Sequence, residues 1–231
     1  MTLHRKLVVE NAAVGHEAFG DWYRFGPEVE EYPGAPDVPL VVYFGGAIST
    51  PTYEARRETE PSPIREVFEI ELAVAGIESV DLLVVPCPLI GRSEPDFAAR
   101  ISTFVLDELL GSTPNPKPSR LVFFGNSAGA HLASTLAFEL ASVRALVTMG
   151  GVGMAEAFRA SERRLFAGRR YRCFANDDDT CTSHTHAFWV EMLSHGVAVD
   201  VTERPGGHDF DDYFANGSVQ DGFAVALESL R

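Results

Sequence analysis

Leu121-Val122-Phe123-Phe124-Gly125-Asn126-Ser127-Ala128-Gly129-Ala130-His131-Leu132-Ala133 is the stretch on which the reading of this chain turns. Four consecutive apolar residues predict a short strand buried on both faces. The segment from Ala128 onward predicts a helix. Between them the chain has to turn sharply, with Ser127 at the tip. Gly125 and Gly129 have no Cβ, so neighbouring backbone can pass close to the turn. The turn lifts the Ser127 hydroxyl clear of the sheet and sets the Ala128 N–H at a helix start, where unpaired donors favour negative charge. The plain alternative is a glycine-rich turn in which Ser127 caps the helix.

The same rhythm extends in both directions. Leu7-Val8-Val9 and Trp22-Tyr23-Arg24-Phe25 are short strand signals, followed by turn prolines at 33, 36 and 39. Leu40 to Phe44 is a buried-strand run that ends in Gly45-Gly46. Residues 63–75, carrying Ile64, Val67, Phe68, Ile70, Leu72 and Ala73, predict a helix; 82–85 predict a strand stopped by Pro86 and Pro88, and 96–110 a helix. Beyond the turn, 128–140 predicts a helix, 143–147 a strand, 154–166 a short helix and 171–175 a strand interrupted by Arg172. A helix over 184–195, an alternating strand at 197–201 and a helix over 219–230 close the chain. Strand and helix in alternation predict a three-layer α/β/α sandwich around a mostly parallel sheet, with ligands beyond the carboxyl ends of the strands. Short connections and the absence of a low-complexity linker predict one domain over residues 1–231.

Composition sets limits. The 231 residues are 45 % hydrophobic and 23 % charged, the profile of a folded globular protein. Lys and Arg number 19 against 33 Asp and Glu, a formal charge of −14, which argues against nucleic acid and anionic membranes as partners. No apolar run is long enough to span a bilayer. The three cysteines, Cys87, Cys173 and Cys181, are too few for a disulfide scaffold and lack zinc-site spacing. With no signal peptide visible, the expected location is the cytoplasm. The sequence assigns no oligomeric state.

A serine hydroxyl is a weak nucleophile without a base. Of the seven histidines, His131 follows Ser127 on the presumed helix and suits a structural role. His184, His186 and His195 share one helical region, and His4 and His16 lie near the amino terminus. His208 is different: Arg204-Pro205-Gly206-Gly207-His208-Asp209-Phe210 is a glycine-bearing loop after the last strand. A carboxylate after an earlier strand can orient such a histidine. Asn176-Asp177-Asp178-Asp179-Thr180 offers three. Divalent metal binding by that run lacks a matched set of oxygen ligands elsewhere.

The order serine, aspartate, histidine, together with these three loops, resembles the α/β-hydrolase family over nearly the whole chain. Gly125-Asn126-Ser127-Ala128-Gly129 matches its nucleophile motif. Asn176 to Thr180 is similar to its Gly-x-x-Asp-Thr stretch, with Asn176 in the glycine position, which implies Asp179 as the acid and Asp178 as its rival. Tyr43-Phe44-Gly45-Gly46-Ala47 sits where esterases resembling hormone-sensitive lipase carry His-Gly-Gly-Gly, though Phe44 and Ala47 depart from that motif. Ser127 to Ala133 also resembles the elbow helix of kynurenine formamidases. The resemblance implies a serine hydrolase of small carboxylic esters: Ser127 as nucleophile, His208 as base, Asp179 as acid, and N–H groups of Gly45, Gly46 and Ala128 as the oxyanion hole, without cofactor or metal. Amide, arylformamide or thioester hydrolysis by the same triad is the alternative, and a non-catalytic binding protein of this fold is a further one. Gly150 to Arg169 leaves room for one short cap helix, which implies an open site and small or flexible substrates. Phe44, Leu89, Ile90, Met149, Met154 and Phe210 are candidates to line it.

Overall fold

The computed structural model describes residues 2–11, 16–26, 38–48, 63–88, 111, 113, 118, 120–140, 142–151, 169–194 and 196–231. Eight strands form one sheet: β1 (Thr2–Asn11), β2 (His16–Phe25), β3 (Leu40–Ile48), β4 (Val80–Pro88), β5 (Leu121–Asn126), β6 (Val143–Met149), β7 (Arg170–Asn176) and β8 (Val199–Arg204). Their spatial order is β1-β2-β4-β3-β5-β6-β7-β8. β1 and β2 run antiparallel to each other and β2 runs antiparallel to β4, while β4 through β8 pair in parallel. The helices are α1 (Pro63–Ala75), α2 (Ala128–Glu139), α3 (Thr182–Ser194), α4 (Phe210–Ala215) and α5 (Ser218–Glu228).

Strand alternation sorts the core into two layers. Leu40, Val42, Phe44, Leu121 and Phe123 face one way, against Leu132 and Leu136 of α2 and Phe188 and Met192 of α3. Val41, Tyr43, Val122 and Phe124 face the other, against Ile64, Val67 and Phe68 of α1 and Val219, Phe223 and Leu227 of α5. The apolar runs are continuous because both sides of each central strand are covered. Phe124 and Phe223 meet at 4.8 Å between ring centres, in edge contact. This is the expected three-layer arrangement.

Several details differ from the sequence expectation. β4 continues through Pro86 and Pro88 rather than stopping there. β2 pairs with β4 only as far as Val84, so neither proline lies in that ladder. On the other side, Pro86 stands beside a register jump between Phe44 and Ala47. Arg172 does not break β7: its guanidinium pairs with Asp200 of β8 at 3.3 Å and lies 5.5 Å over the Phe174 ring. On α1, Ile64, Val67 and Phe68 are buried, but Ile70 is exposed rather than part of the apolar face. α4 follows the histidine loop where no helix was expected; six residues cannot display a helical period. The expected helices over 96–110 and 154–166 lie outside the described residues. Cys173 and Cys181 are free thiols. No helix among the described residues is long and apolar enough to cross a membrane.

Candidate active site

The site lies at the carboxyl ends of four neighbouring strands, where β5 supplies the serine turn, β6 leads into Gly150, β7 into the aspartates and β8 into the histidine loop. Such an edge gathers ligand loops because parallel strands all release their chains on the same side.

Ser127 has φ 53° and ψ −117°, the one non-glycine with positive φ among the described residues. A side chain is strained there by about 1–3 kcal/mol, so the surroundings have to impose it. They do so by close backbone packing. A Cβ on Gly125 would stand 2.4 Å from the Gly129 carbonyl oxygen, and one on Gly129 would stand 2.2 Å from the Phe44 oxygen. Only glycine fits at either place. The Ser127 N–H is tied to the Met149 carbonyl of β6 at 2.8 Å. The Ser127 side chain makes no helix-capping hydrogen bond, so the plain turn-and-cap alternative fails. Instead its Oγ lies 2.8 Å from His208 Nε2.

The opposite ring nitrogen, Nδ1, meets Asp179 Oδ1 at 2.8 Å. The histidine side chain is partly exposed and the aspartate side chain fully buried. Asp179 also accepts from the Cys181 N–H at 2.6 Å through Oδ1 and from the Tyr213 hydroxyl at 2.6 Å through Oδ2. Burial pushes this carboxyl upward. Hydrogen bonds from Tyr213, Cys181 and His208 outweigh it and hold the group below its usual value.

Asp177 and Asp178 are exposed. Asp177 still has work to do: its Oδ1 accepts from the Gly206 N–H at 3.1 Å and steadies the histidine loop. Asn176, read from the sequence only as a replacement for glycine, is fully buried and joins the two loops. It donates from Nδ2 to the Gly207 carbonyl at 2.9 Å and accepts from Asn216 Nδ2 at 2.8 Å. Asp212 accepts from the Gly207 N–H at 2.9 Å. Sequence reasoning also missed Tyr213, whose place beside the acid depends on α4. The available signal was an aromatic residue directly after the acidic run 209–212 that follows the histidine.

Gly45 and Gly46 fall in the register jump of β3, between the Phe44–Val85 and Ala47–Cys87 pairings. Such an irregularity re-aims backbone groups away from a ladder. A Cβ on Gly46 would lie 3.6 Å from Ser127 Cβ, so this segment borders the serine. The Ala128 N–H opens α2. Of the expected lining residues, Phe44 and Met149 are fully buried in the two core layers, because each ends a strand row packed against helices. Phe210 is half-buried, and Leu89, Ile90 and Met154 lie outside the described residues. Away from the site, His186 pairs with Glu203 at 2.6 Å and His4 with Asp21 at 2.9 Å.

Asp179, Cys181 and His208 also present oxygen, sulfur and nitrogen atoms within 4.8 Å of one another, a set of donors that a soft cation could share. The carboxylate and ring nitrogen of that set already bond each other.

No protein-family model matches the chain, and no curated protein matches it. Solved structures do. A ferulic acid esterase superposes with a TM-score of 0.77 at 12 % identity, over 100 % of this chain and 99 % of the other. S-formylglutathione hydrolase from Staphylococcus aureus gives 0.63 at 10 % identity, over 98 % and 99 %. A thermostable esterase from Pseudomonas putida ECU1011 gives 0.62 at 11 % identity, over 100 % and 84 %. Eight strands in this order, helices on both faces and a strained serine turn at the carboxyl edge place the chain in the α/β-hydrolase fold.

Proposed function

We propose that the protein is a serine hydrolase of small carboxylic esters, working through Ser127, His208 and Asp179 and an acyl-enzyme intermediate. The observation that carries this reading is the continuous chain of contacts from Ser127 Oγ to His208 Nε2 and from Nδ1 to Asp179 Oδ1, each 2.8 Å. His208 takes the serine proton at Nε2 as Oγ attacks the acyl carbon. Asp179 fixes the tautomer with hydrogen on Nδ1 and stabilises the imidazolium that forms. The N–H of Ala128, with those of Gly45 and Gly46, receives the developing oxyanion. The proton then passes to the leaving alkoxide, and water releases the acid by the same steps. The fold neighbours named as esterases support an ester substrate. Amides and thioesters meet the same groups, and a neighbour named for S-formylglutathione keeps the thioester reading beside the ester one.

A fluorophosphonate probe followed by peptide mass spectrometry should label Ser127, and Ser127→Ala should abolish labelling and turnover. Clean labelling elsewhere, with the variant fully reactive, would remove Ser127 from its role. A panel of p-nitrophenyl esters, thioesters, anilides and N-formyl aromatic amines ranks the acyl and leaving groups. A binding-only protein leaves every member of that panel intact.

A further inference from the structure

Asp179 is buried, yet among the described residues no arginine or lysine holds it. Its contacts are neutral donors and one histidine. A lone buried carboxylate loses several kcal/mol of hydration, and hydrogen bonds, with the neighbouring imidazole, offset that here. Oδ1 serves His208 and the Cys181 N–H. Oδ2 faces away from the histidine, and the Tyr213 hydroxyl donates to it at 2.6 Å within the buried interior. The Tyr213 oxygen also accepts the Asn176 N–H at 3.3 Å. The phenol thereby bridges the last residue of β7 and the far side of the carboxylate.

We propose that Tyr213 is a positioning residue of the catalytic apparatus, pinning Oδ2 of Asp179 so that Oδ1 stays aimed at His208. The proposal rests on the triad reading and deepens it.

Two features support a built contact rather than an incidental one. Gly150 has φ 58°, and a Cβ there would stand 3.0 Å from Asp179 Oδ2 and 3.1 Å from the Tyr213 hydroxyl. The end of β6 is thus kept bare where the phenol and the carboxylate meet. Tyr213 itself is fully buried. Burial, reinforced by Asp179, pushes the phenol upward, so it keeps its proton and remains a donor at working pH.

Among the described residues, the titratable groups facing Asp179 come from each neighbouring element: His208 from the loop after β8, Tyr213 from α4 and the Cys181 thiol from just before α3. β6 contributes Gly150, which does not titrate. Removing the phenol hydroxyl leaves the carboxylate more basic. That change is felt at the oxygen Asp179 presents to His208.

Tyr213→Phe tests this with shape retained. The expected result is a kcat lower by about tenfold with KM within about twofold, the loss of one charge-assisted hydrogen bond felt in the reaction rather than in binding. The acid limb of the kcat/KM profile should move to higher pH, and the ring N–H proton resonance of His208 should shift. A merely structural tyrosine would lower the melting temperature and leave the acid limb in place. Gly150→Ala keeps the tyrosine but presses a methyl on the same bond, and should move the acid limb in the same direction. An unmoved acid limb and near-native kcat in both variants, with Ser127→Ala inactive, overturns the role of Tyr213 and leaves the triad standing. Turnover that survives Ser127→Ala overturns the triad itself.

Discussion

Asp81 and Asp179 are both fully buried carboxylates of the same sheet, one at the amino end of β4 and the other beyond the carboxyl end of β7. Asp81 receives two bonds of 2.8 Å from the Arg24 guanidinium, one to each oxygen. That guanidinium also lies 5.2 Å over the Trp22 ring, and the aspartate raises its pKa. The charge is matched by a permanent opposite charge, and nothing is left over. Asp179 is held by a phenol, a backbone N–H and an imidazole. Among the described residues no lysine or arginine meets it, so in the proposed mechanism its charge remains to stabilise His208 when the ring takes up a proton. The difference teaches how burial can serve two ends. A cation beside a carboxylate fastens two strands together, and neutral donors keep a carboxylate in reserve.

The comparison can be broken most forcefully at Asp179. Asp179→Asn should lower kcat roughly 10²–10⁴-fold with the fold retained, because the histidine loses its tautomer and its counter-charge. Asp178→Asn, exposed beside it, should stay within about tenfold. Paired steady-state kinetics measure both, and a large loss at 178 alone would move the acid by one residue.

Asp81 should show the reverse pattern. Asp81→Ala strands a buried guanidinium and should cost about 3–5 kcal/mol of stability in denaturant melts, while the folded fraction keeps its kcat. Replacing both partners, Arg24→Met with Asp81→Leu, should recover most of that loss. A double variant no more stable than the single one would mean that the charges do more than neutralise each other.

The smallest effect concerns pH. Hydrogen bonds hold the folded Asp179 below its unfolded value, which is about 3.9. Its contribution to stability is therefore present above about pH 4 and is lost as pH falls through the folded value. The stability gap between the wild type and Asp179→Asn, measured by melts at stepped pH, should narrow below that point. A gap that stays constant into strong acid would show that the carboxylate gains nothing from its donors.

The central strands were legible because both faces of β3 and β5 are covered, so Leu40–Phe44 and Leu121–Phe124 carry unbroken apolar runs. α1 was legible end to end, although its exposed Ile70 reads as core in a helical period. The loops that meet at the candidate site were legible through local chemistry: a serine between two glycines, a histidine after two more, and acids after a strand. What escaped was cooperation between loops. Asn176 looked like a departure from a glycine, yet its two-sided amide ties the acid loop to the histidine loop. Tyr213 sits on a helix too short to announce itself, and its partner is 34 residues away. β4 ran past its prolines because the neighbouring ladder on one side had already ended.

The positive φ of Ser127 carries a consequence for how this chain is selected. Glycine would sit in that backbone conformation without strain, so the fold by itself prefers an inert residue at the tip of the turn. Holding serine there lowers the stability margin of every molecule synthesised, whether or not it meets a substrate. Selection for thermal robustness alone would therefore favour glycine at this turn, so the role proposed for serine at 127 pulls against foldability.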